Sequence, residues 1–316
     1  MDSCRSAELA VSSGHNGVHR SAARIFRRPE THHRKRFRPL TPHRSGITSV
    51  LAGRPGTDRA DSIAVDCGPE VRPGERNGAI DTLTPRQLAG RVWLFPGDPD
   101  PYAVRPTVAV VADERGSVIV DAGQSPAHAR EIRAGLRAAG LPEPRWLVYT
   151  HHHWDHVWGA CAWPGVEIVG HEAGVAPLRA EAARPWSHRY LREQVRENPR
   201  LGHSFRARAL AVDSWEGFTV LPPTRTFTDE LTLPTGVVVR HVGGRHAPDS
   251  SVVLVPDSGV LLLGDCWYPP PAHLRTPEDE PDLAMARGLL TDDVEWYASA
   301  HDEPVRLAEA RAALAG

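Results

Sequence analysis

The chain has 316 residues, enough for one large domain or two modest ones, and either could bury a sizeable core. Its 41% hydrophobic and 24% charged residues are ordinary for a globular protein, and no apolar run approaches the ~18 residues a membrane-spanning helix needs. The net charge of −2 hides an asymmetry: residues 19–44 carry nine Arg or Lys against the single acid Glu30, so that segment is +8 and the remainder −10.

Up to about Thr84 the chain is rich in Arg, Pro, Gly, Ser and Thr and shows neither helical nor strand periodicity, so residues 1–84 are expected to be a disordered extension. Its basic run could tether an acidic surface or nucleic acid. Lys35 is the only lysine in the protein, however, so arginine is simply this chain's cation, and a stretch translated from an over-early start codon would look the same. The opening residues lack the basic start and apolar stretch of a secretory signal. Cys4, Cys67, Cys161 and Cys266 are scattered without CxxC spacing, against a disulfide framework or a thiolate knuckle. A cytoplasmic location with no membrane partner is therefore expected.

Order is expected from Pro85. RVWLFPG (91–97), TVAVVAD (107–113) and SVIVDAG (117–123) are short β-branched runs closed by turn residues, which read as successive strands. SPAHAREIRAGLRAAG (125–140) follows as a helix, with Ser125 as N-cap, Pro126 in the first turn, Ile132 and Leu136 on one face, and Gly140 at the end. Strands are read at 145–150 and 166–170, then a less regular lid-like insertion over about 175–225 with a helix near 187–197. The last third returns to strands at 236–243, 250–256 and 259–265, followed by two helices, 291–298 and 303–314. Strands and helices in two matching halves suggest an α/β architecture of two sheets packed face to face with helices outside.

The chemistry gathers at THHHWDH (150–156). His151 and His153 are two apart at a strand end, so their side chains project the same way and can grip one ion. His152 faces away. Asp155 and His156 fall where the chain turns into a helix and can reach a second ion beside the first.

This pattern resembles the T-H-x-H-x-D-H signature of the metallo-β-lactamase fold superfamily, a four-layer αβ/βα sandwich of two mixed sheets, and the resemblance runs over about residues 91–310. SVIVDAG resembles the family's strand ending in Asp-x-Gly, which implies that Asp121 is buried beside the site. GGRHAPDSS (243–251) resembles the G-H-T-P-G-S turn and implies His246 as the third histidine of the first metal site. Arg245 splits the usual Gly-His there, and Ala247 and Asp249 replace Thr and Gly. LLLGDCW (261–267) resembles the strand ending in Gly-Asp and implies Asp265 as a bridging carboxylate. YASAHDEP (297–304) resembles the late Ser-His turn and implies His301 as the last ligand of the second site. His241 competes with His246, but lies inside a strand-like run. His273 competes with His301, but sits in a Pro-rich loop.

What the resemblance implies is a site for two divalent ions, Zn2+ by ligand type with Mn or Fe compatible, one held by His151, His153 and His246, the other by Asp155, His156 and His301, with Asp265 between them. The expected activity is hydrolysis of a small-molecule ester, lactone, thioester or amide by a metal-bridging hydroxide, with Asp155 as the catalytic residue that orients the water or passes its proton. Trp154, Trp158, Trp267 and Tyr268 flank ligands, either as an aromatic rim for substrate or as core. Arg245 could clamp a carboxylate or face solvent. Two alternatives share the fold: a single-iron oxygenase like the persulfide dioxygenases, with the second site unfilled, and a nucleic-acid processing enzyme, which the −10 core disfavours. His171, Cys161 and Cys266 are read as packed bystanders, and the sequence leaves the oligomeric state open.

Overall fold

The computed structural model describes residues 83–315, and these fall in one compact unit. The basic segment, Cys4, Cys67 and all but the last two residues of the expected extension lie outside the described residues. No helix among the described residues is long and apolar enough to cross a membrane.

Runs of β-branched residues alternate their side chains between two faces, and both faces are dry, which is why they read as nearly unbroken apolar runs. Strands β1 (Arg86–Ala89), β2 (Val92–Phe95), β3 (Val108–Val111) and β4 (Ser117–Val120) pair antiparallel. To them β5 (Pro144–Val148), β6 (Glu167–His171) and β7 (Arg225–Phe227) add in parallel, giving a seven-stranded sheet in sequence order. The second sheet has six strands. In it β8 (Glu230–Thr232), β9 (Val238–His241), β10 (Ser251–Val255) and β11 (Val260–Gly264) pair antiparallel, β12 (Trp296–Ser299) adds parallel to β11, and β13 (Val305–Arg306) closes the edge.

The sheets meet through one set of strand positions. Val118, Val120, Trp146 and Val148 of the first sheet pack with Val253, Val255, Val260 and Leu262 of the second. The alternate positions face outward onto helices. Ile119 and Leu147 pack beneath α1 (Pro126–Ala138), whose Ile132 and Leu136 supply its buried stripe. Ser125 caps that helix, its Oγ accepting the His128 N–H at 3.2 Å, and Gly140 turns the chain away at φ +66. A single helical turn, α2 (Trp154–Val157), follows β5, and β6 leads into α3 (Val175–Ala182), α4 (His188–Glu197) and α5 (Gly202–Ala211). On the far side Leu261, Leu263 and Tyr297 pack with Ala286 of α6 (Leu283–Gly288) and Leu314 of α7 (Leu307–Leu314).

One expected helix is a strand. Residues 291–298 end in β12, where Trp296 and Ala298 face the inter-sheet core and Tyr297 the outer helices, a period of two that the helical reading overlooked. Likewise 303–314 begins as β13 and becomes helical only at Leu307.

Two backbone hydrogen bonds latch the sheets at one end: Ser251 N–H donates to the Thr150 carbonyl at 2.8 Å, and Thr107 N–H to the Ala300 carbonyl at 2.7 Å. There β11 comes so close to the first sheet that a Cβ on Gly264 would lie 2.6 Å from Thr150 Oγ1, and Gly264 has φ +53. Only glycine satisfies both conditions.

Candidate metal centre

The functional side chains leave the C-terminal ends of parallel strands, where an open α/β sheet leaves a crevice. Asp121 follows β4, residues 150–156 follow β5, Asp265 follows β11, and His301 follows β12. His246 comes from the turn between β9 and β10.

Asp121 organises the start of the centre. Its backbone takes φ 67, an unusual left-handed conformation for a residue with a side chain. From there Oδ1 accepts the Thr150 N–H at 2.8 Å, and Oδ2 accepts the Thr150 hydroxyl at 3.0 Å and the His156 Nδ1–H at 2.7 Å. Because the Thr150 hydroxyl donates to Asp121, its oxygen is left to accept from His151 Nδ1 at 3.1 Å. His246 Nδ1 donates to the Pro269 carbonyl at 3.0 Å. These partners set the tautomers of His151, His156 and His246, so that each presents a bare Nε2.

Three of those lone pairs converge. His151 Nε2, His153 Nδ1 and His246 Nε2 form a triangle with sides of 2.9, 2.9 and 3.2 Å. Three nitrogens held tetrahedrally by one zinc ion at ordinary bond lengths would be about 3.3 Å apart. Burial lowers all three rings below the usual histidine range, His151 and His153 well below it. Neutral imidazoles facing one another are acceptors without a donor, which suits a cation at their centre.

The second cluster carries charge. His156 Nε2 lies 3.4 Å from both Asp155 Oδ2 and Asp265 Oδ2, and His301 Nε2 lies 3.2 and 3.5 Å from the same two oxygens. His156 Nε2 and Asp265 Oδ1 are buried without a hydrogen-bond partner. Burial opposes charge on His156, but Asp121, Asp155 and Asp265 outweigh it and raise its pKa; His301 is pushed up to about 10 against burial, chiefly by Asp265. Burial would raise Asp155 and Asp265, yet the neighbouring histidines hold both well below the usual carboxylate range. Protons are thus drawn to where a second cation fits. Asp265 Oδ2 is also 3.5 Å from His246 Nε2, which puts this one oxygen between the two groups.

All seven expected ligands come together in these two groups. His301 follows a strand rather than the expected helix. The competitors stay out: His241 stacks on His171 with centroids 3.6 Å apart and has Nε2 against the Pro248 carbonyl, while His273 lies in the cavity wall outside both groups. His152 turns away onto Asp249 at 2.6 Å. Arg245 is half-exposed and donates to the Glu280 carbonyl. Trp158 and Trp267 are core, whereas Trp154 also lines the cavity. Cys266 is buried, and burial pushes its thiol up to about 12; Cys161 is half-buried rather than buried. Thr150, the Pro269 carbonyl and Arg208 were not singled out from sequence. Thr150 stood inside the motif, but its role needs the Asp121 contact to be seen.

A cavity of about 380 Å³ opens over the centre, walled by residues 98–105 after β2, by α5, and by residues 271–275. His153, Asp155, His246, Asp265 and His301 form its floor.

The chain is similar to a linear primary-alkylsulfatase from Pseudomonas sp. (strain ATCC 19151), 29% identical over 204 residues, covering 58% of this chain and 36% of that protein. It thus spans about a third of the length of the curated relative it matches. Among solved structures, a double mutant of the sec-alkyl sulfatase PisA1 superposes with a TM-score of 0.53 at 17% identity over 74% of this chain and 40% of that one. The metallo-beta-lactamase FIM-1 from Pseudomonas aeruginosa, in its mono-zinc form, superposes with a TM-score of 0.50 at 15% identity over 74% and 94%. These likenesses are of fold. The model of the metallo-beta-lactamase superfamily matches residues 102–311, a span that holds all seven converging side chains, and the chain belongs to that superfamily.

Proposed function

We propose that the protein is a dinuclear metal-dependent hydrolase of a small-molecule ester, lactone, thioester or amide. The observation that carries this reading is the pair of ligand groups sharing Asp265 Oδ2. His151, His153 and His246 would hold one ion, and Asp155, His156 and His301 the other, with Asp265 between them. Imidazole and carboxylate donors suit zinc, and manganese or iron are compatible. Two such ions would supply a water of lowered pKa, about 7, and polarisation of a carbonyl oxygen.

The protein's own groups do the rest. Asp155 faces the cavity, orients the attacking water and accepts its proton. Asp121 keeps His156 in the tautomer whose Nε2 faces inward, and Thr150 does the same for His151. Trp154 offers the substrate an apolar wall. The complete second group is what favours this reading over a single-iron oxygenase.

The test is elemental analysis of the purified full chain beside Asp265→Ala, with small esters and lactones assayed on the same samples. About two metal ions per chain, lost together with hydrolysis in the variant, is the expected result. One iron and no hydrolysis would replace this reading with the oxygenase. A second reading, hydrolysis of a sulfuric monoester, is favoured by the similarity to an alkylsulfatase; dodecyl sulfate belongs in the same panel, with release of inorganic sulfate as its signature.

A further inference from the structure

Beside the metal centre, α5 places Arg208 in the wall of the same cavity. Its side chain is only 9% exposed, and its guanidinium carbon lies 4.7 Å from the ring centre of Phe205, 5.1 Å from Trp158, and 5.4 Å from both Trp154 and Trp186. A cation in an aromatic box is held by the ring faces without using its N–H groups. Burial draws Arg208 down to about 10, and Glu181 opposes that, so the group remains cationic at neutral pH.

A buried ion pair serving only the fold would be expected to close to about 2.7–2.9 Å and spend several of the five N–H donors. Arg208 does neither. Its nearest carboxylate oxygen, Glu181 Oε1, is 3.8 Å from Nη2 and already accepts the Trp158 Nε1–H at 3.1 Å. Arg208 Nε is buried with no hydrogen-bond partner, and so is His273 Nδ1, which lies in the same cavity wall. The acids that share the cavity are Asp155 and Asp265 in the metal centre, and Asp98 and Asp100, which are exposed on the loop after β2 and bound to backbone N–H groups. Of the other arginines lining the cavity, Arg105 is paired with Glu131 and Arg275 donates its Nε–H to the Pro270 carbonyl at 3.0 Å.

We propose that Arg208 is the specificity-determining residue of the cavity and receives an oxoanion of the substrate, a carboxylate, sulfate or phosphate group, while the scissile bond lies over the metal centre. The proposal rests on the hydrolase reading for that last clause, but anion binding at Arg208 stands apart from it. The guanidinium fork matches two oxygens of any of these groups. The aromatic box fixes that fork in advance, so little is lost in ordering it when the anion arrives. His273, whose Nδ1 also lacks a partner, supplies a further polar contact in the same cavity.

The experiment uses the zinc-loaded full chain titrated with phenylacetate, inorganic sulfate, inorganic phosphate and, as the neutral control, benzyl alcohol. Two signals are read: tryptophan emission, since three of the four rings around the guanidinium are tryptophans, and the Arg208 Nε–H resonance, assigned by its loss in Arg208→Lys. At least one anion is expected to bind saturably and shift that resonance, and benzyl alcohol to leave it in place. Arg208→Met is expected to weaken the anion by about tenfold or more, and Arg208→Lys by less. Anion binding at the metal centre that leaves the Nε–H unmoved would overturn the proposal, as would equal affinity in Arg208→Met. The titration is read on the native protein, where the Nε–H can also be assigned by through-bond correlation to the Arg208 side-chain carbons, so a variant that fails to fold does not remove the test. Which anion binds most tightly distinguishes carboxylate from sulfate and phosphate substrates. Anion binding without hydrolysis of any ester in the panel would count against the hydrolase reading and leave this one standing.

Discussion

Asp121 does not line the cavity over the candidate centre, yet three hydrogen bonds from residues 150–156 end on its carboxylate. Asp121→Asn keeps a residue that tolerates the left-handed backbone, but sets an amide N–H2 against groups that need an acceptor. Metal affinity is expected to fall about 10- to 100-fold, measured by competition with a chromogenic chelator. Unchanged affinity would show that Thr150 and the strand geometry orient the histidines unaided. The seven converging side chains were legible in the sequence because metal chemistry restricts both residue type and spacing, and THHHWDH, His246, Asp265 and His301 each sit at a strand end or turn. Arg208 was not. Its helix, GHSFRARALA, has no apolar stripe to announce a buried face, and the rings that box it in come mostly from other elements.

At the scale of elements, α1 carries a pH liability in its first turn. His128 is buried, its Nδ1 accepts the Gln124 N–H at 3.3 Å, and its Nε2 has no partner. Burial, helped by Arg105, lowers its pKa to about 3. Above pH 6.5 the ring is neutral in folded and unfolded chains alike and costs nothing. As the pH falls from 6.5 towards 3 the unfolded chain takes a proton that the folded one refuses, so stability declines, by about 2 kcal/mol between pH 7 and pH 5. His128→Gln keeps an acceptor and is expected to flatten this part of the curve in urea melts at stepped pH; an unchanged slope would assign the acid sensitivity elsewhere. The strands from β2 to β6 and α1 were readable because β-branched runs and a capped amphipathic stripe are local signals. The stretch 291–298 misled because Thr-Asp-Asp resembles a helix start, and only pairing with the distant β11 decides for a strand. The short strands β7, β8 and β13 carry too few residues for any periodicity to show.

For the whole molecule, the candidate metal centre is a joint between two sheets. The first sheet brings Asp155, His151, His153 and His156, and the second brings His246, Asp265 and His301, so bound ions would tie the halves beside the two backbone latches. Even one ion present at about a thousand times its dissociation constant would add about 4 kcal/mol. Chelation is therefore expected to lower the melting temperature by roughly 8–16 °C in calorimetry, and zinc to restore it. A melting point indifferent to chelator would mean that the latches and the valine core carry the joint alone. The same arrangement has a consequence in time. His151 to His156 leave a ribosome together, but His301 follows 145 residues after His156. At about 5–20 residues per second that interval is roughly 7–30 s. During it the growing chain would display a loose cluster of imidazoles before the second sheet is complete, β12 and His301 coming last, able to pick up whichever ion is abundant and to let it go. Selection among ions then belongs to the finished enclosure, after translation has ended.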